Sequence, residues 1–261
     1  MTQKTCIITG ASTGIGYALA LKLAGQGYTL GLTARRLPLL EDLKKNILSR
    51  FPHAQIDIEV CDITNFEQTT MAINILAKKW GRLDLFIANA GIGYQTPAWE
   101  KNKKEVIAIL NTNLMGTIFS IEVAKEIMLE QKSGHLVAIS SVAAFRGLPT
   151  SSAYATSKAG LTTYTESLRM DLKKHGIMVT SIHPGYIATP MTEKNAIMPF
   201  LLTAEVAAKK ISRAIQKQKP CYIFPWPMIL AVTIMKLMPR FLFESLVTIN
   251  INGIFKEEKK L

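Results

Sequence analysis

The sequence predicts a doubly wound α/β fold, in which a seven-stranded, mostly parallel sheet carries helices on both faces. Three observations predict it. Short apolar runs alternate with amphipathic stretches, the alternation continues along most of the 261 residues, and glycine or small polar residues end several runs. Strands that alternate with helices are typical of parallel sheets. Because the seven strands use up residues 1–225, we expect one domain there and an extension over 226–261.

The first four elements show the alternation most clearly. The run TCIITG (5–10) is rich in β-branched residues and ends in glycine, and the stretch 15–28 has helical apolar spacing. The run TLGLTAR (29–35) predicts a strand. The amphipathic stretch 38–51 predicts a helix, with Pro38 in its first turn.

The same alternation predicts the remaining elements. Apolar runs predict strands at 55–63, 83–91, 135–141, 177–185 and 221–225. Helical spacing predicts helices at 67–80, 102–131, 152–174 and 204–217. Ligands of doubly wound sheets bind at the carboxyl ends of the strands, so we expect functional residues just after each strand.

Composition excludes several classes of protein. An apolar content of 48% and a charged content of 19% exclude a disordered chain. The three cysteines (Cys6, Cys61 and Cys221) lack metal-type spacing, which predicts free thiols in a reducing compartment. No apolar signal-peptide core precedes the first strand, so we expect a cytoplasmic protein. We find no cluster of metal ligands and expect no metal.

The net charge of +12 is unevenly distributed. Residues 205–261 contain 10 Lys or Arg against 4 acidic residues. Such an excess can attract nucleic acid, anionic lipid or an anionic cofactor. Because no aromatic residues alternate with the basic ones and no zinc motif is present, we do not expect nucleic acid to be a partner.

A glycine-rich loop, TGASTGIG (9–16), connects the first strand to the first helix. Gly10 allows the tight turn, Gly14 allows the backbone to approach a pyrophosphate, and Gly16 allows close packing of helix and strand. The free N–H groups of a helix start favour an anion. The residues expected to bind a dinucleotide here are Gly10, Ser12, Thr13, Gly14, Ile15 and Gly16.

The residues that follow the second and third strands help to predict which cofactor binds. An acidic residue after the second strand would bind the ribose hydroxyls of NAD, but this chain has Arg35 and Arg36, whose planar guanidinium groups suit a phosphate. NADP(H) is therefore the expected cofactor, and the alternative is that both arginines are ordinary solvated charges. After the third strand, Asp62 beside Ile63 could accept a hydrogen bond from adenine or could cap the next helix.

The ends of the fourth and fifth strands supply small and polar residues. Asn89, Ala90 and Gly91 would let the chain pass under a cofactor, and the Asn89 amide can bind neighbouring backbone. Ser141 ends the fifth strand thirteen residues before Tyr154, which a returning loop could bring close. Asn113 lies inside the predicted helix 102–131, where an Asn is mildly unfavourable and requires an explanation.

Taken together, these motifs resemble the short-chain dehydrogenase/reductase superfamily over about residues 3–225. The motifs are TGxxxGIG (9–16), NAG (89–91), Asn113, Ser141, YxxxK (154–158) and PGxIxT (184–189). They occur in the expected order and at the expected strand ends. The resemblance implies a Rossmann-type fold and an NADP(H)-dependent enzyme that interconverts a ketone or aldehyde and an alcohol. It also implies a homodimer or homotetramer.

The resemblance also implies roles for individual residues. Tyr154 would be the general acid/base, and the Lys158 ammonium one helical turn away would lower the tyrosine pKa and hold the ribose. Ser141 would bind the substrate oxygen, and Asn113 would hold a water that connects Lys158 to solvent. Tyr154 and Lys158 thus count among the cofactor-binding residues. Over the nicotinamide, the resemblance places Pro184, Gly185, Ile187 and Thr189.

Three loops are expected to face the substrate: 92–101, 142–152 and 190–203. Their apolar residues predict a lipid-like, steroid-like or aromatic substrate. These residues are Tyr94, Trp99, Phe145, Leu148, Met191, Met198, Phe200 and Leu201. The alternative is that several of them belong to the core.

The extension 226–261 contains near its start the stretch PMILAVTIMKLM, which is apolar on nearly every side and too short to span a bilayer. Three placements stay open for it: against the substrate entrance, in a subunit interface, or on an anionic membrane surface at the inner face of a membrane. Two other functions also stay open: a catalytically silent NADP(H)-binding sensor, and a peripheral membrane-binding protein.

Overall fold

A single parallel sheet of seven strands forms the centre of the protein. The computed structural model describes residues 3–193 and 198–247, and it confirms the predicted fold class. The strands are β1 (Thr5–Thr9), β2 (Thr29–Ala34), β3 (Ile56–Val60), β4 (Leu85–Ala88), β5 (Gly134–Ile139), β6 (Ile177–Pro184) and β9 (Cys221–Phe224). They lie in the order β3-β2-β1-β4-β5-β6-β9, and each neighbouring pair is parallel.

Helices cover both faces of the sheet. They are α1 (Gly14–Ala24), α2 (Leu37–Arg50), α3 (Phe66–Trp80), α4 (Lys103–Leu110), α5 (Thr117–Glu130), α6 (Ser152–Leu172), α7 (Ala204–Gln216) and α8 (Trp226–Leu237). One core layer contains side chains of α1, α2 and α7, and the other contains side chains of α3, α5 and α6. The two layers explain why the central strands read as continuous apolar runs, since strands covered on both faces have no solvent side.

Strand β1 shows this burial residue by residue. All five of its residues are buried. Cys6 and Ile8 join the first core layer, whereas Ile7 between them joins the second. Successive strand residues point to opposite faces, so one short run contributes to both layers.

The predicted helix 102–131 is wrong as one continuous α-helix. Helix α4 ends at Leu110, a π-helical turn covers Asn111–Gly116, and α5 begins at Thr117. A Cβ atom on Gly116 would lie 2.5 Å from the carbonyl oxygen of Ile63, so this turn packs directly on the backbone after β3. π turns of this kind are frequent at functional sites.

Several strands are shorter than predicted. Strand β4 covers Leu85–Ala88 within the predicted 83–91, because the NAG segment leaves the ladder. A second, two-stranded sheet that was not predicted pairs β7 (Ile187–Ala188) with β8 (Leu202–Thr203). This small sheet brings 187–188 and 202–203 together at the carboxyl edge of the main sheet.

The strand order reverses direction between β1 and β4. The chain first builds outward from β1 through β2 to β3 and then returns to place β4 on the other side of β1. The crossover helices diverge at this point, which opens a crevice at the carboxyl ends of the strands. The predicted site residues follow these strands.

The described part of the extension is helical, and one face of it is packed. Helix α8 buries Met228 and Val232, and a second helical stretch covers 240–247. The large exposed apolar side chains of the extension are Trp226, Ile229, Leu230, Ile234, Leu237, Phe241, Leu242 and Leu246. The rest of the predicted extension, 248–261, lies outside the described residues.

One helical run in the described part of the chain, Lys103–Glu130, is long and apolar enough to cross a membrane by length and composition alone. The same run contains α4, the π turn and α5, and α5 packs against α3 and the sheet. Its apolar character therefore has an explanation within the core.

Candidate active site

A cleft of about 220 Å³ opens at the carboxyl edge of the sheet, where the strand order reverses. The structure brings nearly all predicted site residues to it. Its lining includes Gly10, Ser12, Thr13, Gly14, Ile15, Arg35, Arg36, Asp62, Ile63, Asn89, Ala90, Gly91, Ser141, Tyr154, Lys158, Pro184, Gly185, Ile187 and Thr189. The two predicted residues outside the lining are Gly16 and Asn113, which are both buried.

The glycine loop forms one end of the cleft. Gly10 has φ of +65°, and a Cβ atom there would lie 2.6 Å from the Cα of Ala90. Gly14 has φ of +59°, and its Cβ would lie 3.0 Å from the Cγ2 of Thr189. Helix α1 has no side-chain cap and no acidic residue in its first turn. The N–H groups at the start of this helix are thus not taken up by side chains, which suits an anion.

Gly16 and Asn89 hold the ends of β1 and β4 together. The Asn89 amide Nδ2 donates to the carbonyl oxygens of Thr9 at 3.0 Å and Gly10 at 3.1 Å. A Cβ atom on Gly16 would lie 2.5 Å from that same Nδ2. Both residues therefore shape the loop through packing and backbone contacts, as the sequence predicted for them.

The two arginines after β2 differ in their contacts. The Arg36 guanidinium donates to Ser12 Oγ at 3.1 Å and Thr13 Oγ1 at 3.4 Å, so it lies directly over the glycine loop. Arg35 is also exposed, and its nearest carboxylate is Asp62 at 4.0 Å. An exposed pair at this distance contributes little to stability, so the Arg35 charge stays available to a ligand.

The alternative that Asp62 caps a helix is wrong. Helix α3 begins at Phe66, and its cap is Asn65, whose Oδ1 accepts from the N–H of Gln68 at 2.9 Å. Asp62 instead accepts from the N–H of Thr64 at 3.0 Å and from its hydroxyl at 2.8 Å. Asp62 lies in a turn three residues before the cap, at the wall of the cleft.

Tyr154, Lys158 and Ser141 meet at the other end of the cleft. Ser141 and Tyr154 both line the cleft here, and the Ser141 Oγ accepts from the N–H of Ala143 at 3.1 Å. The Lys158 Nζ lies 5.7 Å from the centre of the Tyr154 ring and donates to the carbonyl oxygen of Ile139 at 2.9 Å. Tyr154 and Lys158 lie in the first turns of α6, so their i, i+4 spacing places both on one helix face.

The charges at this end differ from the prediction. Burial raises the pKa of Tyr154, and the neighbouring Ser141 hydroxyl offsets this only in part. Burial also lowers the pKa of Lys158 to about 8. The predicted lowering of the tyrosine pKa by Lys158 is therefore wrong for this geometry, since low polarity disfavours the charged forms of both side chains.

The structure explains the unusual position of Asn113. Its Oδ1 accepts from the N–H of Ile92 at 2.8 Å, and its Nδ2 donates to the carbonyl oxygen of Ile92 at 2.8 Å. The residue lies in the π turn and is fully buried. It thereby anchors the segment after the NAG motif to the helical layer. That Asn113 also holds a water near Lys158 stays a prediction.

Other residues of the cleft escaped the sequence analysis. They are Ala34, Cys61, Thr112, Ile139 and Ser140, together with Ile92, Pro190 and Thr192, which lie in the predicted substrate-facing loops but were not named as site residues. The Ser140 hydroxyl contacts the Lys158 carbonyl oxygen at 3.0 Å and Thr162 Oγ1 at 2.9 Å. Ser140 precedes Ser141 at the same strand end, and this adjacency was the available signal.

Of the predicted substrate-facing residues, only Met191 lines the cleft. A Cβ atom on Gly93 would lie 3.1 Å from the Met191 Cγ, so the loops after β4 and β7 meet there. Large exposed side chains in the predicted loops are Tyr94, Trp99, Met191, Phe200 and Leu201. Among residues 3–193 and 198–247, we find no group of three or more His, Cys, Asp or Glu that could hold a metal ion.

Comparisons with known proteins identify relatives of the whole described fold. The family model for short chain dehydrogenases matches residues 4–198. An uncharacterized oxidoreductase of Myxococcus xanthus is 36% identical over 246 residues, which is 94% of this chain and 96% of that protein.

Two solved structures are similar throughout. A short chain dehydrogenase/reductase from Burkholderia phymatum in complex with NAD is 25% identical, with a TM-score of 0.80 and coverage of 89% of this chain and 92% of that chain. ElxO with NADP bound is 27% identical, with a TM-score of 0.77 and coverage of 85% and 96%. With its parallel sheet, its glycine loop and its Tyr154 and Lys158 pair, the chain belongs to the short-chain dehydrogenase family of oxidoreductases.

Proposed function

We propose that the protein is an NADP(H)-dependent oxidoreductase that interconverts an apolar ketone or aldehyde and the corresponding alcohol. The observation that carries this proposal is that Ser141, Tyr154 and Lys158 line the same end of a cleft that begins at the glycine loop, with the Lys158 Nζ 5.7 Å from the centre of the Tyr154 ring. Hydroxyl, phenol and ammonium groups gathered at one end of such a cleft suit proton transfer to a substrate oxygen.

The residues present fit a nicotinamide dinucleotide. A Cβ atom on Gly10 would contact Ala90, and one on Gly14 would contact Thr189, so both positions of the loop require glycine. The N–H groups at the start of α1 are not bonded by a capping side chain and can face a pyrophosphate. A bound nicotinamide supplies or accepts the hydride. Gly91 supports the far end, since a Cβ atom there would come within 3.3 Å of Asn113 Oδ1.

Tyr154 is proposed to hold the transferred proton on its hydroxyl. Because burial raises its pKa, the phenol stays protonated at neutral pH and is ready to donate to a carbonyl oxygen. Ser141 is proposed to bind that same oxygen and to steady it where charge develops. Lys158, with its pKa lowered to about 8, is proposed to hold the ribose and to supply a replacement proton.

Arg36 and Arg35 support the choice of NADP(H). Arg36 lies over Ser12 and Thr13, and Arg35 lies at the same edge with its side chain 62% exposed. Two guanidinium groups beside the glycine loop form a site of the charge and shape that a ribose phosphate requires. Asp62 at the cleft wall is proposed to accept a hydrogen bond from adenine.

The surfaces around the cleft support an apolar substrate and an additional contact partner. The loops predicted to face the substrate expose several apolar side chains, of which Met191 lines the cleft, and the helices of the extension expose more. Contiguous exposed apolar surface marks sites of protein or membrane contact. We propose that this surface of the extension contacts the cytoplasmic face of an anionic membrane, and the alternatives are a subunit interface of a homodimer or homotetramer and a position against the substrate entrance. Two buried free thiols, Cys6 and Cys61, are compatible with a reducing compartment.

An NADPH-consumption screen over a panel of ketones and aldehydes tests the reaction. Tyr154→Phe is expected to bind NADPH as the parent does and to lose about 10²- to 10⁴-fold in turnover, because only the transferable proton is removed. Turnover by Tyr154→Phe at the parent rate would contradict the proposed acid. NADPH binding without turnover of any carbonyl by the parent would instead favour the catalytically silent sensor.

A further inference from the structure

The loop between Ser141 and Tyr154 separates the two proposed catalytic hydroxyls. It starts with a short 3₁₀ turn, Val142–Ala144, and reaches α6 at Ser152. Few of its backbone groups bond within the loop itself, and the next residues, Phe145 and Arg146, point to the extension. What holds this loop therefore affects how the two hydroxyls meet.

Arg146 contacts the end of α8. Its Nε donates to the carbonyl oxygen of Met235 at 2.8 Å, and its Nη2 donates to the carbonyl oxygen of Met238. The last carbonyls of a helix lack intrahelical partners, and a cation there also complements the helix dipole. The Arg146 guanidinium further lies 5.3 Å from the centre of the Phe243 ring, in the helical stretch 240–247. One side chain of the loop thus contacts both helices of the extension.

A second contact runs in the opposite direction, from the extension to the loop. The Lys236 Nζ of α8 lies 4.3 Å from the centre of the Phe145 ring. An ammonium over an aromatic face at this distance is attractive. Two neighbouring loop residues, Phe145 and Arg146, therefore exchange cation–ring contacts with two residues of the extension, Lys236 and Phe243.

Phe145 carries this contact toward Ser141. Its ring lies 4.8 Å from the His183 ring at the end of β6. The His183 Nδ1 lies 3.2 Å from the carbonyl oxygen of Ser141, which can only accept, so Nδ1 carries the proton. Its Nε2 then accepts from the hydroxyl of Ser181 at 3.1 Å. Burial lowers the pKa of His183 to about 4, so this neutral form persists at neutral pH.

A continuous set of contacts therefore joins α8 to the backbone of Ser141 through Phe145 and His183. Helix α8 is also fixed at its other end, because a Cβ atom on Gly185 would lie 3.1 Å from the Met228 Cγ, and Gly185 lines the cleft. The extension thus contacts the active-site wall at both ends of α8.

We propose that residues 226–247 form a clamp that holds the loop 142–151 in the geometry that brings Ser141 to Tyr154, with Arg146 as the positioning residue. This inference rests on the proposed function, because it assigns the clamp to the proton-transfer end of the same site. The glycine loop lies at β1, two strands away from β5 in the sheet, and Arg146 contacts the end of α8 opposite to Met228 and Gly185, so loss of the Arg146 contacts is expected to leave NADPH binding nearly unchanged.

The test compares Arg146→Met and Lys236→Met in the full-length protein. Arg146→Met keeps most of the aliphatic stem but removes both hydrogen bonds to α8. It is expected to lower kcat about ten- to hundredfold, since a misplacement of about 1 Å costs about 10²-fold in rate. Its NADPH dissociation constant is expected to stay within about twofold of the parent value. Lys236→Met is expected to show a smaller loss of kcat, and the losses in the double variant should not simply add, because the two contacts hold the same loop.

The matched control is Lys219→Met. Lys219 also lies over an aromatic ring, at 4.7 Å from the centre of Tyr222, but outside the extension and the loop. The Lys219→Met variant loses the same kind of cation–ring contact as Lys236→Met and is expected to keep the parent kcat. Arg146→Lys should restore part of the lost rate, because a single ammonium can serve only some of the acceptors.

Hydrogen exchange of the backbone amides in 142–151 gives a readout that does not depend on activity. Arg146→Met is expected to speed exchange in this segment at least about tenfold while the amides of β1 and α1 exchange as in the parent. Parent kcat with parent exchange in a folded Arg146→Met overturns the clamp. Parallel losses of kcat, NADPH affinity and thermal stability also overturn it, because they indicate a general structural role. If the parent turns over no carbonyl, the proposed function fails and the exchange result alone decides the clamp.

Discussion

The close packing of the glycine loop on Ala90 leads to a quantitative prediction for Gly10→Ala. A non-glycine residue at φ of +65° costs about 1–2 kcal/mol in backbone conformation. The new Cβ would also lie 2.6 Å from the Ala90 Cα and 3.0 Å from its backbone nitrogen, and overpacking of this kind costs about 1–3 kcal/mol. We therefore expect the free energy of unfolding to fall by about 2–5 kcal/mol.

Gly27→Ala is the matched control for this prediction. Gly27 has φ of +80°, and no atom lies within 4 Å of its Cβ position, so only the conformational cost applies. Urea unfolding of both variants should show Gly10→Ala less stable by about 1–3 kcal/mol, and NADPH titration should show weaker binding in Gly10→Ala alone. Equal stability of the two variants would refute the close approach of the loop to Ala90.

Three further predictions concern charge and surface. Arg35→Asp should weaken NADPH binding by about ten- to hundredfold and improve NADH binding. The control Arg50→Asp, at the far end of α2, should change neither affinity. An unchanged ratio of NADPH to NADH affinity in Arg35→Asp would contradict the choice of NADP(H). Because burial lowers the pKa of both His135 and His183 to about 4, the unfolded chain binds protons at both sites first, so each should reduce stability by about 3 kcal/mol as the pH drops from about 6.5 to about 4. His135→Gln should remove about half of that pH dependence in urea unfolding, the exposed His175→Gln should not change it, and equal slopes in all three proteins would exclude His135 as a cause. Trp226 and Leu237 are 75% and 80% exposed, so the double variant Trp226→Ser, Leu237→Ser should float less with anionic vesicles while it keeps its activity. Unchanged flotation together with a loss of oligomers would instead favour a subunit interface.

Sequence periodicity was sufficient to predict the sheet and its helices. Buried β-branched runs and amphipathic stretches alternate without interruption, so local pattern and global fold agree from β1 to β9. The placement of the site followed from the same order, because parallel strands end at one edge. The cleft accordingly contains Gly10, Arg36, Ser141 and Tyr154, which are far apart in the sequence.

The parts that sequence reasoning missed depend on tertiary contacts. The capping role of Asn65 rather than Asp62 depends on where α3 begins, which a spacing rule places only within a few residues. The direction of the Tyr154 pKa shift depends on burial, which spacing to Lys158 does not report. The contacts of Arg146 with α8 join residues about ninety positions apart, and nothing local in the sequence indicates them.

The π-helical turn at Asn111–Gly116 also sets the rotational phase of α5 relative to α4. Each residue of an α-helix turns the chain by about 100°, so the wider turn changes which face of α5 follows from α4. Ordinary α-helical spacing with the same number of residues would rotate Ile121, Ala124 and Met128 by about 100°, away from the core they share with α3, whereas the π turn takes up one extra residue and keeps them facing that core. The number of residues between Asn113 and β5 therefore matters to the fold, because with this number Asn113 can bind the backbone of Ile92 while the apolar face of α5 points to the core.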